Sequence, residues 1–203
     1  ILDMPDNELL QALELEAKKH VPLDGTEAII DYHHIGKDLH ELDKINLLLT
    51  TTTKNKIKDH ADILKNAGFK PGIFDSDPIA LCNLLQFSYE LPETGANVIL
   101  DIGHSSTTLV VFGNNITYFS REIEIAGNQI SQSLIRSNKI KYSEAENKKH
   151  EKGIAVFEKA NEESEQAISV EQRTILNDLV DEVRKTLRFY MKNNSQAFFN
   201  QFY

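Results

Sequence analysis

The chain has 203 residues, 40% of them hydrophobic, which is enough for one or two compact domains with cores of their own. Its 22 Lys and Arg stand against 31 Asp and Glu, a formal charge of −9, and no basic tract stands clear of acids, which argues against a nucleic-acid partner. The longest apolar runs, such as Ile45 to Leu49 and Val98 to Leu100, fall far short of the roughly 20 residues of a membrane helix. The first residues lack the basic, apolar, small-residue order of a signal peptide, so the chain is expected to be soluble and not to enter a membrane itself. A lone cysteine, Cys82, lies in the apolar run Ile79 to Leu85 and reads as a small buried hydrophobe in a reducing cytoplasm.

In chain order, Asp6 is an N-cap for a helix that carries Leu9, Leu10, Leu13 and Ala17 on one face and ends near Pro22. Ala28 to Tyr32 and Ile45 to Thr53 have strand character and predict a β-pair, separated by a polar linker from Lys37 to Lys44. Ile57, Ala61, Leu64 and Ala67 fall at helical spacing, with Gly68 at the stop position. A strand over Lys70 to Asp75 and an apolar helix from Pro78 to about Tyr89 follow, and Leu91 to Gly95 reads as a boundary. Beyond it a three-stranded meander is predicted: two strands around Asp101, then the turn Gly113 to Asn115 and a third strand from Ile116 to Ile125. Helices open at Gly127 and at Ser143, and Glu158 to Gln166 is an acid-rich connection. The last helix has Ser169 and Gln172 placed for a capping box and a stripe of Leu176, Leu179, Val183, Leu187 and Tyr190.

The stretch Asn97 to Phe112 carries the most chemistry. An apolar strand leads into Asp101, Gly103 permits a tight reversal, and Ser105, Ser106, Thr107 and Thr108 supply hydroxyls and N–H groups of the kind that face a phosphate and its magnesium. The same residues also spell an ordinary hairpin turn.

Taken together, several segments resemble the PilM family, actin-like proteins of type IV pilus assembly related to the division protein FtsA. The resemblance is carried by Met4-Pro5 and Glu14 to Pro22, Ile30-Asp31-Tyr32, Asn66 to Pro71 leading to Asp75, Asp101-Ile102-Gly103, Ser120 to Gly127, and Glu144 to Lys149. It implies an α/β fold with mixed sheets, an actin-like ATPase of ribonuclease H-like lobes with a small inserted α+β subdomain. Residues 1–69 would be the inserted subdomain, 70–95 a return to the first lobe, and 96–203 the second lobe. A family member should also have a first lobe with its own Asp-x-Gly loop and a Gly-Gly segment over the adenosine. Neither lies in these 203 residues, so the sequence is expected to be an internal piece with no ATPase activity of its own and weak ATP binding at best.

Residue by residue, the resemblance places Asp101 at the position that faces magnesium through water. It places Gly103, Ser105, Ser106 and Thr107 around the β- and γ-phosphates of ATP, with His104 and Ser105 where relatives often have glycine. Glu146 and Lys149 match a pair that touches ribose in DnaK-type relatives; the alternative is a capping box of Ser143 and Glu146 with Lys149 in solvent. Ala126 stands where the family usually has the first of two glycines, a departure that weakens the case for tight nucleotide handling. Elsewhere, His33 and His34 are neighbours on a strand and point to opposite faces, which disfavours a shared metal. Thr50 to Thr53 reads as strand, and Tyr89, Tyr190, Phe198 and Phe199 read as core anchors.

Two function classes follow from the resemblance. The first is a cytoplasmic ATP-binding scaffold held at the inner membrane by the short cytoplasmic tail of a PilN-like partner, with pilus motor ATPases as further partners. The second is an FtsA-type polymer-forming ATPase or, at the other extreme, a nucleotide-free platform like the type II secretion L protein.

Overall fold

The computed structural model describes residues 1–20, 28–38, 41–114, 116–153, 174–194 and 198–203. These residues divide into two compact units, Ile1–Ser76 and Asp77–Tyr203. Among them no helix is long and apolar enough to cross a membrane.

The first unit contains α1 (Asp6–His20), β1 (Ala28–Lys37), β2 (Ile45–Thr53) and α2 (Lys54–Asn66). Leu9, Leu13 and Ala17, four residues apart, form the buried stripe of α1. Leu9 and Leu13 join Ile45 in a small core that Met4, Tyr32, Leu47 and Leu49 border. The strands β1 and β2 pair antiparallel from Ala28 opposite Thr53 to Lys37 opposite Ile45, with an irregularity between His34 and Gly36. β1 thus runs five residues past the predicted end at Tyr32, because its backbone keeps a partner in β2 throughout. Thr53 closes the strand and opens the next helix: its hydroxyl accepts the Lys56 N–H at 3.3 Å. At the other end of α2, Gly68 has φ +86, the Gly68 N–H reaches Lys65 O and the Phe69 N–H reaches Leu64 O. That pair of bonds is a Schellman stop, as the glycine predicts.

The strand expected over Lys70 to Asp75 does not form. Pro71 lacks a donor and Gly72 weakens extended structure.

The second unit contains α3 (Asp77–Ser88), β3 (Ala96–Ile102), β4 (Thr107–Phe112), β5 (Phe119–Ile123), α4 (Gly127–Asn138), α5 (Tyr142–Lys152), α6 (Ile175–Asn193) and β6 (Phe199–Phe202). Its four-stranded sheet has the order β5-β4-β3-β6, antiparallel except where β6 runs parallel to β3. On one face Ala96, Val98, Leu109, Val111 and Ile123 pack with Leu179 and Tyr190 of α6. On the other, Ile99, Val110 and Phe112 pack with Cys82 and Leu85 of α3. Burial on both faces is why β3 and β4 read as nearly continuous apolar runs and not as an alternation.

The third strand of the meander is shorter than Ile116 to Ile125, and the segment before it bends at Gly113, whose carbonyl accepts the Ile116 N–H at 3.4 Å. Helix α6 is capped by Thr174, whose hydroxyl accepts the Asn177 N–H at 3.3 Å. The predicted box of Ser169 and Gln172 and the acid-rich connection 158–166 lie outside the described residues, as does Asn115 of the predicted turn. Of the predicted aromatic anchors, Tyr190 is buried, donates to Thr117 O at 3.0 Å and has its phenol pKa pushed up by burial. Phe199 packs at the edge of the same core, whereas Tyr89 and Phe198 are exposed, Tyr89 against the ring of Tyr203.

Candidate functional site

The turn after β3 is built by close backbone approach. Asp101 pairs with Thr108 and Ile102 with Thr107 at the end of the β3–β4 ladder. The Gly103 N–H then donates to Ser106 O at 3.0 Å. A Cβ on Gly103 would lie 2.9 Å from that carbonyl oxygen, so the reversal needs glycine for lack of space. The Asp101 carboxylate is on an exposed residue, as are His104 and Ser105, and Ser106 is half-buried. Thr107 is fully buried and its hydroxyl donates to Ile125 O at 2.6 Å, so this side chain ties β4 to the segment just after β5 and faces away from solvent.

The turn docks on the start of α4. Gly127 N–H donates to Gly103 O at 3.0 Å and Asn128 N–H to His104 O at 2.8 Å. Two of the four orphan donors of the helix N-terminus are therefore satisfied by carbonyls of the turn. Gln129 completes the joint: its side-chain oxygen accepts the Ala126 N–H at 3.0 Å and its amide nitrogen reaches Ser105 O at 3.4 Å. Ala126 itself is buried with φ −158, extended backbone that any residue adopts, so alanine in place of the family's glycine carries no backbone strain here.

Behind Gly127 lies a charged cluster. The Lys149 ammonium donates to Glu146 Oε1 at 2.8 Å, Ser131 Oγ at 2.9 Å and Gly127 O at 3.2 Å. The Ser131 hydroxyl, on a residue with no solvent exposure, sits 2.9 Å from Gly127 O and also bonds Glu146 Oε1. Hydrogen bonds from Lys149 and then from Ser131 hold the Glu146 carboxyl at about 2, well below its ordinary 4.5. The alternative capping box does not form: the cap position of α5 is Lys141, with no side-chain bond, and Ser143 already lies inside the first turn.

The structure superposes on a chain of the solved "PilM-PilN type IV pilus biogenesis complex" with a TM-score of 0.74 at 21% identity, over 99% of this chain and 57% of that one. The family described as "Type IV pilus assembly protein PilM" matches residues 2–203. The chain belongs to the PilM family. Its fold is the α/β, actin-like architecture that the sequence predicts, and it spans 57% of the length of the solved chain it matches. A looser likeness, with a TM-score of 0.46 at 15% identity over 70% of this chain and 46% of the other, is to the ethanolamine utilization protein EutJ from Carboxydothermus hydrogenoformans.

In this PilM-family chain, Gly103, Ser105, Ser106, Glu146 and Lys149 are linked by hydrogen bonds that meet around Gly127 and Gln129. Asp101 stands at the edge of this network on β3. Ser106 and Thr108 line a cavity of about 310 Å³ that Asp77, Ser120, Arg121 and Glu122 help to enclose. Gly127, Gln129 and Ser131 are structural partners that sequence reading passed over. The available signal was Ser131 four residues after Gly127, one helical turn along the same face.

Proposed function

We propose that this protein is a scaffold of type IV pilus assembly that works on the cytoplasmic side of the inner membrane, held there by the cytoplasmic tail of a PilN-like partner, and that it binds ATP with magnesium beside the turn after β3. The observation that carries the scaffold reading is the match of the PilM family to residues 2–203. The similar solved protein is a PilM–PilN complex, which is the reason for naming a PilN-like tail.

For the nucleotide, an exposed carboxylate at the end of a strand suits magnesium, which keeps most of its waters and needs one or two protein carboxylates. Asp101 would face that hydrated ion, and Ser105 and Ser106 would offer hydroxyls to the phosphates. Bound magnesium would neutralise phosphate charge, while the backbone bond between Gly103 and Ser106 keeps the turn short enough for close approach. A nucleotide-free platform is the second reading. It is favoured by the internal commitment of the Thr107 hydroxyl and of the Lys149 ammonium.

The scaffold reading is tested by titrating a fluorescein-labelled peptide of a PilN cytoplasmic tail with the protein and following anisotropy. Saturable binding that a scrambled peptide does not reproduce is expected. Equal responses to both peptides would reject the PilN-like partner.

A further inference from the structure

We infer that Lys149, held by Glu146 and Ser131, is a positioning residue that sets the Gly103–Ser106 turn, and is not a contact for the ribose of a nucleotide. A lysine ammonium has three N–H donors. Three acceptors, Glu146 Oε1, Ser131 Oγ and Gly127 O, surround it at 2.8, 2.9 and 3.2 Å, so no donor remains for a ligand.

What the ammonium grips is informative. Gly127 gives its carbonyl to Lys149 and its N–H to Gly103 O, so the first turn of α4 is fastened to the cluster on one side and to the phosphate-type turn on the other. The absence of a side chain at Gly127 matters on the turn side: a Cβ there would lie a tight 3.1 Å from Gly103 O, but at an ordinary contact distance of 3.5 Å from Lys149 Nζ. Glu146 holds the far end, where Ser131 also hydrogen-bonds its carboxylate. The Lys149 and Glu146 side chains are only 21% and 22% exposed, and Ser131 is sealed. Desolvation of this degree strengthens charge-assisted bonds over their surface equivalents.

The inference uses the nucleotide reading in one arm of its test only. The first arm is amide hydrogen exchange by NMR on the protein and on its Lys149→Met and Glu146→Gln variants. Exchange at the hydrogen-bonded amides of Gly103, Gly127 and Asn128 is expected to rise about tenfold in both, the loss of charge-assisted bonds, with β3 and β4 unchanged as proof of folding. Unchanged exchange in the turn would overturn the inference. The second arm compares the affinity of magnesium ATP with that of magnesium tripolyphosphate, which has no ribose. A positioning residue makes Lys149→Met weaken both by the same factor, whereas a loss confined to ATP would mark a ribose contact and overturn the inference. If the unaltered protein binds neither, the nucleotide reading fails and the exchange arm decides the positioning role by itself.

Discussion

In Asp77–Tyr203 the strands β3 and β4 are buried on both faces, beneath α6 on one side and α3 on the other. In Ile1–Ser76 the β1–β2 ribbon keeps most of its residues half-buried or exposed, and α2 buries none. Among the described residues the core cluster of the first unit is small, Leu9, Leu13 and Ile45, while Phe69 and Ile73 are 67% and 90% exposed. A two-stranded ribbon is marginal in water without a helix against it, so the stability of this unit rests on the few contacts of α1. The larger unit can hold a closely packed turn and a charged cluster because its sheet has a core of its own on both faces.

The widest separation should come from truncating a buried leucine of the larger unit and an exposed one on the helix of the smaller unit that buries nothing. Leu109→Ala, at a position with 0% exposure in the larger core, is expected to cost about 2–5 kcal/mol. Leu64→Ala on α2, at 38% exposure, is expected to cost less than about 1 kcal/mol. Urea unfolding of both variants reads the difference, and equal penalties would break the comparison. Smaller effects come from the helix ends. Thr53→Ala and Thr174→Ala each remove a hydroxyl cap, at about 1 kcal/mol apiece. Hydrogen exchange should confine the first effect to α2 and the second to α6; spread of the Thr53 effect into β3 would mean the units unfold as one. The smallest expected change is a gain. Lys139 ends α4 at φ 53, and Lys139→Gly should relieve that left-handed strain by up to about 1 kcal/mol, visible as a raised Tm.

The charged cluster adds a pH dependence, whereas the core of the smaller unit is, among the described residues, the apolar set Leu9, Leu13 and Ile45. Because Glu146 titrates at about 2 in the folded protein and near 4.5 when unfolded, its contribution is complete above the higher value and is lost as pH falls toward the lower. The Tm gap between the protein and Glu146→Gln should therefore be widest at neutral pH and close on acidification. A gap that stays constant would remove Glu146 as an ionised partner.

The parts of the fold that depend on local pattern were legible in the residues. Leu9, Leu13 and Ala17 give α1, Gly68 gives the end of α2, and the run into Asp101 gives β3. Non-local pairing was not legible. β6 is four residues with Asn200 and Gln201 inside it, and it becomes a strand only because α6 returns the chain to lie parallel beside β3. Lys70 to Asp75 shows the converse, a strand-like run that forms no strand. At the candidate site, the acid, the glycine and the hydroxyls of the turn could be picked out from their order. That the Thr107 hydroxyl points to Ile125 O, or that Ser131 joins Glu146 to Lys149, depends on which faces of β4, α4 and α5 meet, and residue order does not contain it.

The most direct test of the nucleotide-binding scaffold is calorimetry of magnesium ATP binding to the full-length protein and to its Asp101→Ala variant at matched salt and protein concentration. Binding that collapses in the variant, with the fold intact by circular dichroism, is the predicted result. Undiminished binding by Asp101→Ala, or none by the well-folded protein, would contradict it and leave the nucleotide-free platform as the better account.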